Sequence, residues 1–413
     1  MVETGLEQVV VDQVNEQMTK AESVIALERE CVLGNYSRYP MVLERGKGCY
    51  LYDTDGRRYL DLISGIGVNA LGHAHPRVVR AIREQSTRLI HCSNLYYHEY
   101  QGKLAKKLID ASGLDRVFFC NSGTEAVEGA VKIMRSHGNG VGNGKLEMVS
   151  LNNSFHGRTM GALALTGQPK YQKDFAPMLE GVRFIDANNL EQLEAVVSDK
   201  TAGIIIEGIQ GEGGVHPMTA AFLEKARELA DKHNALLVFD AIQCGVGRTG
   251  SYFSHQAIAP HVKPDVMVTA KPLSCGLPLG VVMVNERAAA AIRPGMHGTT
   301  FGGGALTTRV ALEFMEILVD LLPQITRVGE YFRQELRELG RKHSFVQEVR
   351  GMGLMIGVQL AIPGKDMVLE GMKHGLLFNC THDTVLRFLP PYILTEKEVD
   401  KAIAGLRKVF RSI

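Results

Sequence analysis

The sequence carries almost no net charge, no paired cysteine motif, no long apolar run and no internal repeat, and each absence removes a class of function. Forty-six basic side chains stand against forty-five acidic ones, a formal charge of +1, so no field favours nucleic acid or an anionic membrane surface. Partners are expected to be small molecules. The seven cysteines (Cys31, Cys49, Cys92, Cys120, Cys244, Cys275 and Cys380) are odd in number, scattered and free of C-x-x-C spacing. That pattern argues against a disulfide framework and a zinc site, and for a reducing, cytoplasmic setting with no bound metal. The longest apolar runs, such as 235–239, are strand-sized and well short of the roughly 18 residues of a membrane span. The first thirty residues contain acidic side chains and no apolar core. They read as an N-terminal helix or arm and not as a targeting peptide.

The 413 residues hold roughly two to three domains' worth of mass. Alternating Cys49, Leu51 and Asp53 before Asp55-Gly56 predict a hairpin over 48–62, and Pro76 opens an amphipathic helix. From about 115 to 285, short apolar runs (117–120, 147–151, 203–206, 236–239, 266–269 and 281–284) alternate with helical stretches. This rhythm predicts an α/β fold with a mostly parallel sheet under helices. The glycine-rich stretch 137–144 reads as a surface loop. After about 310 come a long helix to Lys342, short strands at 346–350 and 354–360, and a last helix opened by Thr395 with Glu398 three residues on. The division expected is 1–75 as an N-terminal arm and part of a small domain, 76–310 as the large domain, and 311–413 as the C-terminal part of a smaller α+β domain.

Ligands of open α/β sheets gather at the carboxyl ends of the strands, and several strands here end in polar residues. The run N-S-G-T-E-A passes through Ser122, Gly123 and Thr124 into a helix, offering hydroxyls and free N–H groups to a phosphate; a capping box of Ser122 and Glu125 is the plain alternative. The turn S-F-H-G-R-T brings Phe155, an aromatic able to stack on a ring, and Arg158, able to grip a carboxylate. Glu207 ends a strand expected to be fully buried and needs a partner, for which an arginine is natural. Asp240 ends the next strand, with Gln243 close behind, and Lys271 follows the run 266–269. A phosphate cup, a stacking ring, a carboxylate for a ring nitrogen and an amine, in this order on a parallel sheet, suit pyridoxal phosphate.

With N-S-G-T-E-A, F-H-G-R, Q-G-E-G-G, G-x-G-R-T-G and T-F-G-G in order and spacing, the chain resembles the class III pyridoxal-phosphate aminotransferases of fold type I from about Tyr36 to its C-terminus. The resemblance implies that Gly123 and Thr124 bind phosphate, Phe155 stacks on the ring, Asp240 pairs with the pyridine nitrogen and Gln243 with the phenolic oxygen. Lys271 would hold the cofactor as a Schiff base. It also implies a homodimer in which Thr300, and Thr299 beside it, cross to the neighbouring subunit's site. N-Y-S-R-Y-P, containing Tyr36, and S-G-I-G-V-N-A-L-G-H are similar to the branch that transaminates N-acetylornithine with 2-oxoglutarate, a step of arginine synthesis. In that branch Arg158, Thr299 and Tyr36 are implied to meet the donor and Arg387 to receive the acceptor's carboxylate. Glu207 is expected to pair with and mask Arg387 in one half-reaction. Donors such as ornithine, succinylornithine, N-succinyl-diaminopimelate or 4-aminobutyrate, and a non-catalytic homologue, stay open. The family usually has an acid where Ala241 stands, proline at Gly208, a small residue at Pro272 and Asn at Gly304.

Overall fold

The computed structural model describes residues 18–413. Seven strands form the central sheet in the order Arg116–Cys120, Gly280–Val284, Val266–Thr269, Leu236–Asp240, Thr201–Glu207, Glu147–Leu151 and Val182–Ile185. Gly280–Val284 runs antiparallel to both neighbours, and every other pairing is parallel. The central strands are buried along their whole length, because each face meets helices. Ile205, Leu236, Val238, Val266, Val268 and Val282 join Ala126, Val127 and Ala130 of the helix Gly123–Val141 in one core. Their neighbours Ile204, Ile206, Leu237, Phe239, Met267 and Val281 face a second, larger core with Phe222 and Leu223. The period-two alternation thus feeds two cores at once. The edge strand Val182–Ile185 was not anticipated: it is four residues long and carries the exposed Arg183.

The expected hairpin is present as Tyr50–Asp53 against Arg58–Asp61, extended by Leu43–Lys47 on one side and, in parallel, by Leu376–Leu377 on the other. N-terminal and C-terminal segments therefore share a sheet. A third sheet, wholly antiparallel, orders Val346–Met352, Met355–Leu360, Val385–Phe388 and Asn379–Thr381. The 36-residue helix Ala305–Gly340 packs on Pro76–Ser86, Glu99–Ser112, Val346–Met352 and the last helix, Glu396–Arg411. Thr395 and Glu398 form the predicted capping box. Part of the expected N-terminal helix, residues 1–17, lies outside the described residues; Lys20–Cys31 is helical with a Thr19–Glu22 capping box and no buried residue. No described helix is long and apolar enough to cross a membrane.

The stretch 137–144 corrects the expectation of a loop, since the helix Gly123–Val141 runs through most of it. Gly138 is buried there, and a Cβ at this position would stand 1.9 Å from the Lys145 carbonyl, so only glycine fits. Lys145 cannot retreat: its buried Nζ donates to the carbonyls of Asp199, Thr201 and His233 at 3.1, 2.8 and 2.7 Å. Gly138→Ala is accordingly expected to lower the unfolding free energy by about 1–3 kcal/mol in urea titration. An unchanged midpoint would contradict the close approach.

Candidate active site

Parallel pairing sets Asp240 directly beside Glu207, so two buried carboxylates emerge together at the C-terminal edge of the sheet. Each is held differently. Asp240 Oδ2 pairs with His156 Nδ1 (2.7 Å), and Oδ1 accepts from the Ile242 N–H (2.9 Å). Glu207 accepts from two backbone groups, Phe155 N–H on Oε1 (2.9 Å) and Gly211 N–H on Oε2 (3.0 Å). Burial pushes the Glu207 carboxyl up to about 7, against the nearby His156 charge. Burial alone would lower the His156 imidazole, but the hydrogen bond and charge of Asp240 hold it above its ordinary value.

Ser122 caps the helix Gly123–Val141 by accepting from the Glu125 N–H (3.3 Å), while the Glu125 carboxylate takes the Asn121 N–H and Nδ2 (both 2.9 Å). The cap is therefore real, but Glu125 reaches back one residue beyond Ser122. As in any helix, the first N–H groups, those of Gly123 and Thr124, point out of the N-terminus. Thr124 Oγ1 accepts from the Arg158 and Thr159 N–H groups (3.2 and 3.3 Å), which ties the 154–159 turn to the helix start. Gly157 makes this possible: its φ is +138°, and a Cβ would lie 2.2 Å from Thr124 Oγ1.

A cavity of about 370 Å³ opens between these elements, lined by Ser122, Gly123, Thr124, Phe155, Arg158, Glu207, Asp240, Gln243 and Lys271, together with His156 and Glu212. Lys271 opens a short 3-10 turn with φ +22°. Burial lowers its amine, opposed by the charge of Glu212. Phe155 meets Tyr171 edge-on, and the exposed Arg158 lies 3.9 Å over the Tyr171 ring and 5.5 Å from that of Phe155.

The expected Glu207–Arg387 pair is corrected. Arg387, 1% exposed, donates from Nη1 to Glu212 Oε1 (2.6 Å) and to Gln243 Oε1 (3.1 Å), and from Nε to Asn379 Oδ1 (3.2 Å). Gln243 Nε2 in turn donates to Glu212 Oε1 (3.3 Å). Glu207 is occupied by backbone N–H groups, whereas Glu212 sits in the turn between the short strands Ile209–Gln210 and His216–Pro217, facing the arginine. Burial would raise the Glu212 carboxyl, but Arg387 brings it down to about 2. Glu212 was legible only as a letter of Q-G-E-G-G, and His156 only as part of F-H-G-R.

Three other expected residues stand away from the cavity lining. Tyr36 is 71% exposed, Thr300 is exposed, and Thr299 Oγ1 accepts from Asn121 Nδ2 (2.9 Å). Three of the four departures from the family pattern, Ala241, Gly208 and Gly304, have local causes. Ala241 belongs to the apolar core and not to the cavity, and it abuts Gly245, whose Cβ would lie 2.7 Å from its own. At Gly208 a Cβ would meet Ser254 Oγ at 2.2 Å. Gly304 caps the long helix, its carbonyl accepting from Thr307 and Thr308 hydroxyls. Among the described residues, no group of three or more His, Cys, Asp or Glu could hold a metal ion.

The profile of the family described as Aminotransferase class-III matches residues 33–410. The chain belongs to the class-III aminotransferases. It is 47% identical to an acetylornithine aminotransferase of Methanocaldococcus jannaschii over 95% of this chain and 99% of that one. It is 44% identical to an acetylornithine aminotransferase of Aquifex aeolicus, over 92% and 99%. Among solved structures, the ornithine aminotransferase of Toxoplasma gondii superposes with TM-score 0.91 at 32% identity, covering 97% of each chain, and a second structure of it is described with partial occupancy of PLP at the active site. The acetylornithine aminotransferase of Elizabethkingia anophelis gives TM-score 0.86 at 31% identity over 96% of this chain and 100% of that one. The central sheet and site of this class-III aminotransferase thus carry the fold of fold type I enzymes.

The depressed Glu212 carboxyl has a pH signature. Its pairing contributes stability that is present above its ordinary value of 4.5 and is lost as pH falls through about 2. Glu212→Gln is expected to be less stable than the parent by about 3 kcal/mol near neutrality. The gap should narrow steadily in unfolding titrations below pH 4.5; a gap independent of pH would show that the pair does not carry it.

Proposed function

We propose that this class-III aminotransferase uses pyridoxal phosphate to take the terminal amino group of N-acetylornithine and pass it to 2-oxoglutarate, forming N-acetylglutamate 5-semialdehyde and glutamate. The observation that carries this reading is the convergence of Lys271, Asp240, Phe155 and the start of the helix Gly123–Val141 on one cavity. The donor assignment is supported by the 40–47% identity to acetylornithine aminotransferases over most of the chain.

The donor set fits the cofactor. The N–H groups of Gly123 and Thr124 and the Ser122 and Thr124 hydroxyls would hold its phosphate. The Phe155 ring would lie on one face, and Asp240, hydrogen-bonded to His156, would hold a proton on the ring nitrogen. When bound, the cofactor supplies an electron sink for the carbon that loses a proton. Lys271 is the base that carries this proton, and the lowering of its amine by burial raises the fraction able to accept one near neutrality. Arg158, at the mouth of the cavity, would grip the donor's α-carboxylate and leave the terminal amine inside. Arg387 would receive the second carboxylate of 2-oxoglutarate.

One cavity must serve both substrates, and the Glu212–Arg387 pair supplies the means. With Glu212 in place, Glu212 and Gln243 line the cavity and Arg387 does not, so a donor whose reacting terminal carbon bears no carboxylate meets no free cation there. A dicarboxylate displaces Glu212 and takes the arginine. Thr300 and Thr299 would enter the site of a second copy. In support, the segments 90–97 and 299–303 leave the large apolar side chains Ile90, Leu95, Tyr96, Tyr97 and Phe301 exposed. Hydrogen bonds tie the two segments together, Asn94 Nδ2 donating to the Gly302 carbonyl (3.0 Å) and His98 Nε2 meeting that of Gly303 (2.7 Å). We place the homodimer in the cytoplasm, in keeping with seven unbridged cysteines.

Single-turnover amination of the loaded enzyme by N-acetylornithine, ornithine, succinylornithine, N-succinyl-diaminopimelate and 4-aminobutyrate, each chased with 2-oxoglutarate, tests the assignment. N-acetylornithine is expected to lead by about tenfold or more in kcat/KM, and a lead by another donor would reassign the substrate. Glu212→Gln is expected to raise the use of glutamate relative to N-acetylornithine by about tenfold. Glu207→Gln should leave that ratio where it was, because Glu207 does not touch Arg387.

A further inference from the structure

None of the sequence motifs points to the strand Asn379–Thr381, yet it touches both members of the ion pair. It is the edge strand of the C-terminal sheet, with Asn379 opposite Arg387 and Thr381 opposite Val385. Residues two apart on a strand share a face, as do residues directly opposite on a neighbour, so Asn379, Thr381 and Arg387 all look toward the Glu212 turn. Asn379 Oδ1 accepts from Arg387 Nε (3.2 Å). Thr381 Oγ1, on a buried residue, donates to the Glu212 carbonyl (2.7 Å) and stands 3.5 Å from Glu212 Oε2.

The two contacts act in opposite senses. Arg387 meets Glu212 through a single nitrogen, Nη1, whereas an incoming carboxylate is held best by two parallel bonds in the plane of the guanidinium. A tilt of that plane therefore costs the incoming carboxylate more than it costs Glu212. Asn379 holds the plane through Nε. Thr381 acts on the other partner, anchoring the turn's carbonyl and placing a hydroxyl beside Oε2 when Glu212 faces the arginine.

We propose that Asn379 and Thr381 are positioning residues that set how readily a dicarboxylate displaces Glu212 from Arg387, Asn379 favouring the exchange and Thr381 the closed pair. The inference rests on the reading of Glu212–Arg387 as a gate.

The test is calorimetric titration of the holoenzyme with glutarate, a dicarboxylate without a reacting carbonyl, beside kcat and KM for 2-oxoglutarate and N-acetylornithine. Thr381→Val is expected to bind glutarate about two- to tenfold more tightly, as loss of one hydrogen bond predicts, with KM for 2-oxoglutarate falling in step and Thr381→Ser returning to the parent value. Asn379→Leu is expected to bind glutarate about tenfold more weakly, the scale of a hydrogen bond to a charged group. KM for N-acetylornithine stays within about twofold in both, a split that general loosening of the fold does not produce. Thr381→Ala and Asn379→Ala give the same readouts should either first variant fold poorly. Shifts of the same sign in both positions, or no shift in either, overturn the clamp, and the gate survives alone if Glu212→Gln still changes glutarate affinity. Parent-like glutarate binding by Glu212→Gln overturns the gate and the clamp together.

Discussion

The register of two parallel strands is the constraint on which the rest of the site depends. Asp240 and Glu207 are direct partners across Leu236–Asp240 and Thr201–Glu207, about one strand spacing apart, in a setting where two bare anions would repel strongly. The chain resolves the conflict by giving each carboxylate its own counter-group. His156 takes Asp240, and the N–H groups of Phe155 and Gly211 take Glu207. These bonds also place the neighbouring segments. Fixing Phe155 and His156 orients the turn that carries Arg158, and fixing Gly211 sets the start of the turn that carries Glu212. A cavity with an aromatic wall, a mouth arginine and an inner arginine paired with Glu212 follows from one pair of strand ends.

The electrostatics of that cavity are layered. At the base, Asp240 is paired with the His156 imidazole, an arrangement suited to hold a proton on a ring nitrogen. Beside it Lys271 is an amine lowered by burial, a base that can reload. At the far side Glu212, held down to about 2 by Arg387, remains charged at any physiological pH. Protonation therefore does not release Arg387 there, and in the proposed exchange another anion takes Glu212's place on the arginine. In the proposed exchange, carboxylates compete at one guanidinium, which would let a donor with a single carboxylate and a diacid acceptor share the space.

Much of this was legible in the sequence because strand ends and helix starts leave local marks. The apolar runs that end at Asp240 and Thr269, the Ser122 cap and the Thr395–Glu398 box all sit where the pattern put them. What was missed depends on contacts between distant segments. Glu207 drew the expectation of an arginine because a buried carboxylate needs a partner, yet its partners are backbone N–H groups, which no side-chain pattern reveals. The true partner, Glu212, lay in a glycine-rich turn that resembled punctuation. Gly138 looked like loop and is a helix residue pressed on Lys145. Ala241, a seeming loss beside the site, faces the core. Asn379 and Thr381 belong to no motif and matter only because their strand lies next to the one carrying Arg387.

The central claim is that this cavity takes pyridoxal phosphate on Lys271. Borohydride reduction of the protein incubated with pyridoxal phosphate, followed by peptide mass mapping, tests it most directly. The account predicts one phosphopyridoxyl group per chain, on the peptide containing Lys271, and its loss in Lys271→Ala. A label on another lysine, or no saturable label at all, would contradict it.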